Sequence, residues 1–121
     1  MRVRLEDEQA RCLLTLAPQF QGWASIAHGG IVCTVLDEIM AYAVIHFIGQ
    51  GVTTSMETTF RKPVPLGQEL KALGWIVQRR GRMAEAVGEI RLAADDTLLA
   101  QGKARWLIKL DAQGNPLPRY G

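Results

Sequence analysis

Several residue patterns that would mark a specialised architecture are scarce or missing in this chain. Only two of its 121 residues are cysteines, Cys12 and Cys33, both in apolar surroundings and without CxxC spacing. That excludes a disulfide scaffold and a thiolate metal centre, and with no basic, apolar and small-residue leader at the N-terminus it predicts buried thiols in a cytoplasmic protein. His28 and His46, the only histidines, have no partner at metal-ligand spacing. Neither Ser25 nor Ser55 stands in a G-x-S-x-G elbow, so a serine nucleophile has no support. Aromatic residues make up 7% and the net charge is only +2, too little for the dense basic stripe with interleaved aromatics that nucleic acid requires. Ile31 to Ile48 has the length of a membrane span but carries Asp37, Glu38 and His46, each costly at a bilayer centre. No membrane partner and no cofactor are expected.

The remaining composition, 48% hydrophobic and 21% charged, is that of an ordinary globular domain. Its length suits one domain over 1–121, with residues 1–9 a loose leader and 111–121 a loose tail containing two prolines and two glycines. Residues 31–48 are apolar nearly all round, which predicts a helix enclosed by other structure. Period-two alternation then predicts strands at Met83–Leu92 and Gln101–Lys109. Further strands are expected at Val52–Arg61 and Glu69–Arg79, broken by "KPVPLGQ", and at Ala10–Leu16 before the helix. "RRGR" and "ADDT" read as hairpin turns. The class is α+β, a long central helix with an antiparallel meander able to curl round it. A single sheet facing a single helix leaves open edges, so association with another copy is expected.

Chemistry concentrates at "AHGGIVCTVLDEIMAYA", residues 27–43. The first N–H groups of a helix lack internal partners, and glycines let a ligand approach them, so Gly29 and Gly30 can hold an anion or a carbonyl oxygen gaining charge. Asp37, eight residues beyond Gly29, is about 12 Å away along a helix. One small reacting group cannot touch both within a chain. If two copies pair with their helices antiparallel or side by side, Gly29 of one faces Asp37 of the other, giving two shared sites. Glu38 is rotated about 100° from Asp37; it reads as an interface or solvated acid and as the substitute nucleophile.

The segment "FQGWASIAHGGIVCTVLDEIMAYA", with an acid seven residues after the second glycine of HGG, resembles the signature of hotdog-fold thioesterases of the phenylacetate-degradation (PaaI-like) type. The R-x-P-V-x-x-G turn and the strand order downstream match as well, so the resemblance covers roughly residues 10–110. It implies a hotdog fold, with the helix wrapped by a curved antiparallel sheet, in a homodimer or a homotetramer built as a dimer of dimers. It also implies hydrolysis of acyl-CoA thioesters without metal or organic cofactor. By this resemblance Gly29 donates its backbone N–H to the thioester oxygen, and Asp37 of the partner subunit attacks the carbonyl or activates water. A strand hydroxyl, Thr53 or Thr54, assists. Several relatives of this type carry an asparagine about six residues before the motif histidine, where this chain has Gly22.

His28 reads first as a hydrogen-bonded group fixing the turn and second as a substrate contact. Arg79, Arg80 and Arg82 read as a solvated turn or as contacts to CoA phosphates, for which arginine is suited. Arg61 and Lys62 are a second basic pair, and Trp23 is placed to line an acyl pocket. Trp75 and Trp106 read as packing residues, and Cys33 as a small core residue. Two other functions fit the same residues: a non-catalytic acyl-CoA binding or sensing protein, and a hotdog hydratase or dehydratase using His28.

Overall fold

The computed structural model describes residues 2–23 and 25–118, and of residues 21–23 the backbone only. In chain order the elements are β1 (Val3–Glu6), β2 (Gln9–Thr15), β3 (Gln21–Trp23), β4 (Ile26–Ala27), α1 (Gly29–Phe47), β5 (Gly51–Phe60), β6 (Glu69–Arg80), β7 (Met83–Leu92) and β8 (Leu98–Ile108). Six strands form one sheet in the order β1-β2-β6-β7-β8-β5, antiparallel at every pairing, while β3 and β4 pair separately. One helix packed on one face of this sheet is the predicted architecture.

α1 starts where His28, in extended conformation, accepts a hydrogen bond from the Gly30 N–H. It ends at Ile48, and Gly49 follows with φ +153°, its α-carbon facing the Leu117 carbonyl oxygen so closely that no side chain fits. The helix buries Val32, Val35, Leu36, Ile39, Met40, Ala43 and Val44. Opposite them the sheet presents Leu70, Ala72, Ala84, Ala86, Ile90, Ala100, Ala104, Trp106 and Ile108. The approach is close because Gly74, Gly88 and Gly102 are register partners in a row across β6, β7 and β8. A Cβ at Gly74 would lie 2.6 Å from the Ile39 carbonyl oxygen, and one at Gly88 3.1 Å from Met40. The three glycines therefore set the height of the helix above the sheet.

Four expectations need correction. Val3–Glu6, expected in a loose leader, pair with β2 through a two-residue turn in which Asp7 and Glu8 both have positive φ. Such turns usually carry Asn-Gly, so "DE" gave no hairpin signal. The start of the tail is also tied down: Leu117 N–H donates to the Lys109 carbonyl, and Gln50 N–H donates to the Leu117 carbonyl. Among the described residues the helix is enclosed on one side only, since Glu38, Tyr42 and His46 are exposed on the other. Cys12 is buried as expected, whereas Cys33 is half-buried at the side of the helix facing β5.

Candidate active site

Among the described residues β5 is an edge of the sheet, paired with β8 on one side only. A register shift between Thr53 and Ser55 inserts an extra residue, Thr54. Such a bulge reverses the alternation of a strand, because side-chain period is two. Thr53 thus meets α1 before the bulge, and Thr58 and Phe60 meet it after. The Thr53 hydroxyl donates to Asp37 Oδ1 at 3.1 Å. The Cys33 thiol donates to the Thr58 hydroxyl at 3.4 Å. A Cβ at Gly29 would lie 3.6 Å from the Phe60 ring. Gly29, Cys33 and Asp37, four residues apart in turn, therefore form one stripe of α1 along the open edge strand.

At the start of the stripe, His28 Nδ1 accepts the Gly30 N–H at 2.9 Å, and the Ile31 and Val32 N–H groups donate to the His28 carbonyl. Gly29 occupies the first helical position, whose N–H has no intrahelical acceptor. Among the described residues it has no other acceptor either. It is exposed and carries the positive end of the helix dipole. A cavity of about 460 Å³ opens beside it, lined by Gly29, Val32, Phe60, Arg61, Lys62 and Val64 among others. Both cations of the second basic pair are thus brought to the Gly29 end.

At the other end, Asp37 is half-buried, and among the described residues it pairs with no Lys or Arg. Among the described residues, therefore, no structural ion pair accounts for it. Glu38 points away from Asp37, onto the outer helix face with Ala41, Tyr42 and Ile45. Thr53 and Thr54 part company at the bulge: the Thr54 hydroxyl donates to the Arg105 carbonyl at 3.2 Å, which leaves only Thr53 at the carboxylate. Trp106, the register partner of Thr53, is buried with an indole N–H that has no acceptor among the described residues. Its alternation gave only a packing role, and no sequence signal marked the unpaired donor.

Arg79, Arg80 and Arg82 are exposed at the β6–β7 turn, where the Arg79 side chain donates to the Gly81 carbonyl. They share the Asp37 end, because Thr53 pairs with Trp106, Trp106 with Ala84 and Ala84 with Arg79. Within one chain the two basic clusters lie at opposite ends of the sheet. The Trp23 side chain lies outside the described residues, so its assignment to an acyl pocket is untouched. Among the described residues no group of three His, Cys, Asp or Glu could hold a metal ion.

A family model described as "Thioesterase superfamily" matches residues 24–99. The chain is 25% identical over 99 residues to acyl-coenzyme A thioesterase THEM4 of Xenopus laevis, a match covering 82% of this chain and 44% of that protein. A solved thioesterase superfamily protein shares 27% identity with a TM-score of 0.78, over 84% of this chain and 49% of its own. The chain thus spans about half the length of each of these two relatives. An acyl-CoA hydrolase from Staphylococcus aureus, solved with butyryl coenzyme A, superposes with a TM-score of 0.81 at 24% identity, over 94% of this chain and 70% of that one. The helix and six-stranded sheet match the hotdog fold of these neighbours.

Proposed function

The chain belongs to the thioesterase superfamily, and from that premise we propose that it hydrolyses acyl-CoA thioesters to the free acid and CoA in a site shared by two copies. The observation that carries the reading is the stripe along β5, with an unengaged N–H at Gly29, a carboxylate at Asp37, and about 12 Å of helix between them. The outer edge of β5 is unpaired among the described residues. An antiparallel two-fold pairing of β5 with itself, centred between Met56 and Glu57, sets Thr53 opposite Phe60 of the partner subunit. Thr53 brings Asp37 and the partner's Phe60 brings the partner's Gly29, so the two groups meet across the axis.

The same operation gathers the basic residues. Arg61 and Lys62 of the partner subunit come to the end of the joined sheet where Arg79, Arg80 and Arg82 stand, about three strand spacings or ~14 Å from β5. Together they suit the phosphates of CoA. In the reaction, the Gly29 N–H stabilises the charge that develops on the thioester oxygen. Asp37, held by Thr53, attacks the carbonyl carbon or takes the proton of the water that does. The carbon–sulfur bond breaks and CoA leaves as thiolate, taking up a proton from solvent; where Asp37 itself attacks, water then hydrolyses the acyl–Asp37 anhydride, releasing the free acid and restoring the carboxylate. His28 serves as the helix cap, with one ring nitrogen engaged by Gly30, which argues against the hydratase reading.

The test is thiol release from short, long and aromatic acyl-CoAs by the wild type and Asp37→Asn. Hydrolysis by the wild type alone, with acyl-CoA binding retained by the variant, supports the reading. Undiminished hydrolysis by Asp37→Asn would contradict it. A second reading, binding without catalysis, draws on Gly22, which stands where several relatives have asparagine; it predicts saturable acyl-CoA binding by the wild type and no thiol release.

A further inference from the structure

The edge of the sheet formed by β1 and β2, at the end of the strand order opposite β5, is not accounted for by the shared site. Val3, Leu5, Ala10 and Cys12 turn towards the helix, so alternation turns Arg4, Arg11 and Leu13 to the outer face of the sheet. There Arg2, Arg4, Arg11, Leu13, Lys71 and Leu73 line a groove of about 420 Å³, whose floor is the backbone at Cys12 and Ala72. The register gives the groove its walls. Arg4 pairs with Arg11 and Arg11 with Leu73, which makes one row across β1, β2 and β6. Leu13 pairs with Lys71, and the same register sets Arg2 opposite Leu13, which makes a second row ~7 Å from the first. The next strand closes the inner end: Glu89 partners Leu73, Arg91 partners Lys71, and Arg91 donates to both oxygens of Glu89 at 3.1 and 3.2 Å, across the gap between the rows. Four cations and no acid line the groove. Glu6 engages Arg4 and Asp96 engages Lys71, whereas Arg2 and Arg11 form no ion pair among the described residues. Arg4 and Arg11 are like charges directly opposite each other, a destabilising arrangement that an anion beside them relieves. Leu13, next to them, is 56% exposed.

We propose that this groove is a binding site for an amphiphilic anion, a single alkyl chain carrying a carboxylate or phosphate head. The head lies between Arg2 and Arg11 at the open end, where arginine offers paired N–H donors in the geometry of such oxygens. The chain lies over Leu13 and Leu73 towards the end closed by Glu89 and Arg91. From β1 to β7 the groove spans three strand spacings, ~14 Å, so it takes one chain and one head. It occupies the face of the sheet away from α1 and the edge away from β5, so it does not depend on the hydrolase reading.

The test is an NMR titration of the full chain, with leucine methyl groups labelled, by octanoate and by octyl phosphate, and by acetate, inorganic phosphate and octanol as controls. Saturable shifts at Leu13 and Leu73 are expected with octanoate or octyl phosphate, and the tighter of the two identifies the head. Acetate, phosphate and octanol each lack the chain or the charge and should bind at least about tenfold more weakly. Arg11→Gln and Leu13→Ser, both at exposed positions, should each weaken the binding about tenfold or more and leave thiol release unchanged. No saturable shift at these two leucines, controls that bind as tightly as the amphiphiles, or full affinity in both variants would each overturn the proposal. Shifts confined to Leu36, in the helix, would assign the amphiphile to the candidate active site and also overturn it. Absence of thiol release with the Leu13 and Leu73 shifts intact would instead count against the hydrolase reading alone, so the two failures are distinguishable.

Discussion

Replacing Gly29 by proline removes one hydrogen-bond donor from the candidate site and little else. Gly29 is the first residue of α1, the position where proline is best tolerated because its N–H has no helical acceptor and its φ is already helical. The preceding residue, His28, has φ −60° and ψ 136°, the extended conformation that a following proline demands. A Cβ at this site meets only the Phe60 ring, at 3.6 Å, an ordinary van der Waals contact. The fold should therefore survive, with a change in stability of less than ~1 kcal/mol. If the Gly29 N–H stabilises the developing oxyanion, its loss lowers kcat about 10²- to 10³-fold, the range for deletion of one such donor. Gly29→Ala keeps the N–H and is the matched control, expected within a few-fold of wild type. The assay is thiol release from saturating acyl-CoA, with thermal melting alongside. A Gly29→Pro variant that folds and turns over like Gly29→Ala would refute the assignment of this donor.

Other outcomes follow from the same geometry. Thr53→Val deletes a hydrogen bond to a carboxylate, a loss of about 1.5–3 kcal/mol in such cases, and should lower kcat roughly 10- to 100-fold while Thr54→Val, whose hydroxyl bonds to the sheet, leaves it near wild type. Gly74→Ala drives a methyl group against the Ile39 carbonyl oxygen and should destabilise the fold by about 1–3 kcal/mol in chemical denaturation. Cys33 lies midway between Gly29 and Asp37, so a two-fold axis joining those residues brings two copies of Cys33 together. In a Cys12→Ser background a short bis-maleimide should couple them, and failure to form covalent dimers would count against the β5 pairing. Asp95 is held below the usual carboxylate range by the Thr97 hydroxyl and N–H, and Asp96 by Lys71. Their support of the β7–β8 turn is present above the unfolded pKa of about 4 and lost as pH falls through the lowered values, which amide exchange of residues 94–97 should register as faster opening.

The parts of the fold legible in the sequence were those governed by simple periodicity. The alternation in Met83–Leu92 and Gln101–Lys109 placed β7 and β8, and the apolar run from Ile31 located the helix. β1 escaped because a turn through Asp7 and Glu8 requires positive φ at residues that rarely adopt it. Periodicity also mistook the helix for one enclosed on every side. An apolar outer face looks the same in sequence whether strands of one chain cover it or leave it open. At the site, the spacing of Gly29 and Asp37 was readable, and so was the geometric problem it posed. The bulge at Thr54 was not, since no residue type announces it, and it decides which threonine reaches Asp37. Nor did sequence reveal that the row Gly74, Gly88 and Gly102 fixes the helix height. That fact emerges only when the three strands are put in register.

The central claim is that each site is built from two chains, and mixed dimers test it most directly. Asp37→Asn and Gly29→Pro chains, each inactive alone, are combined in equal amounts under conditions that allow exchange. A mixed pair contains one site with both groups intact and one with neither. Thiol release should therefore recover to about a quarter of the wild-type rate per chain for random pairing about a two-fold axis. Activity that stays at the level of the two inactive parents, in a sample shown to contain mixed dimers, would contradict a shared site.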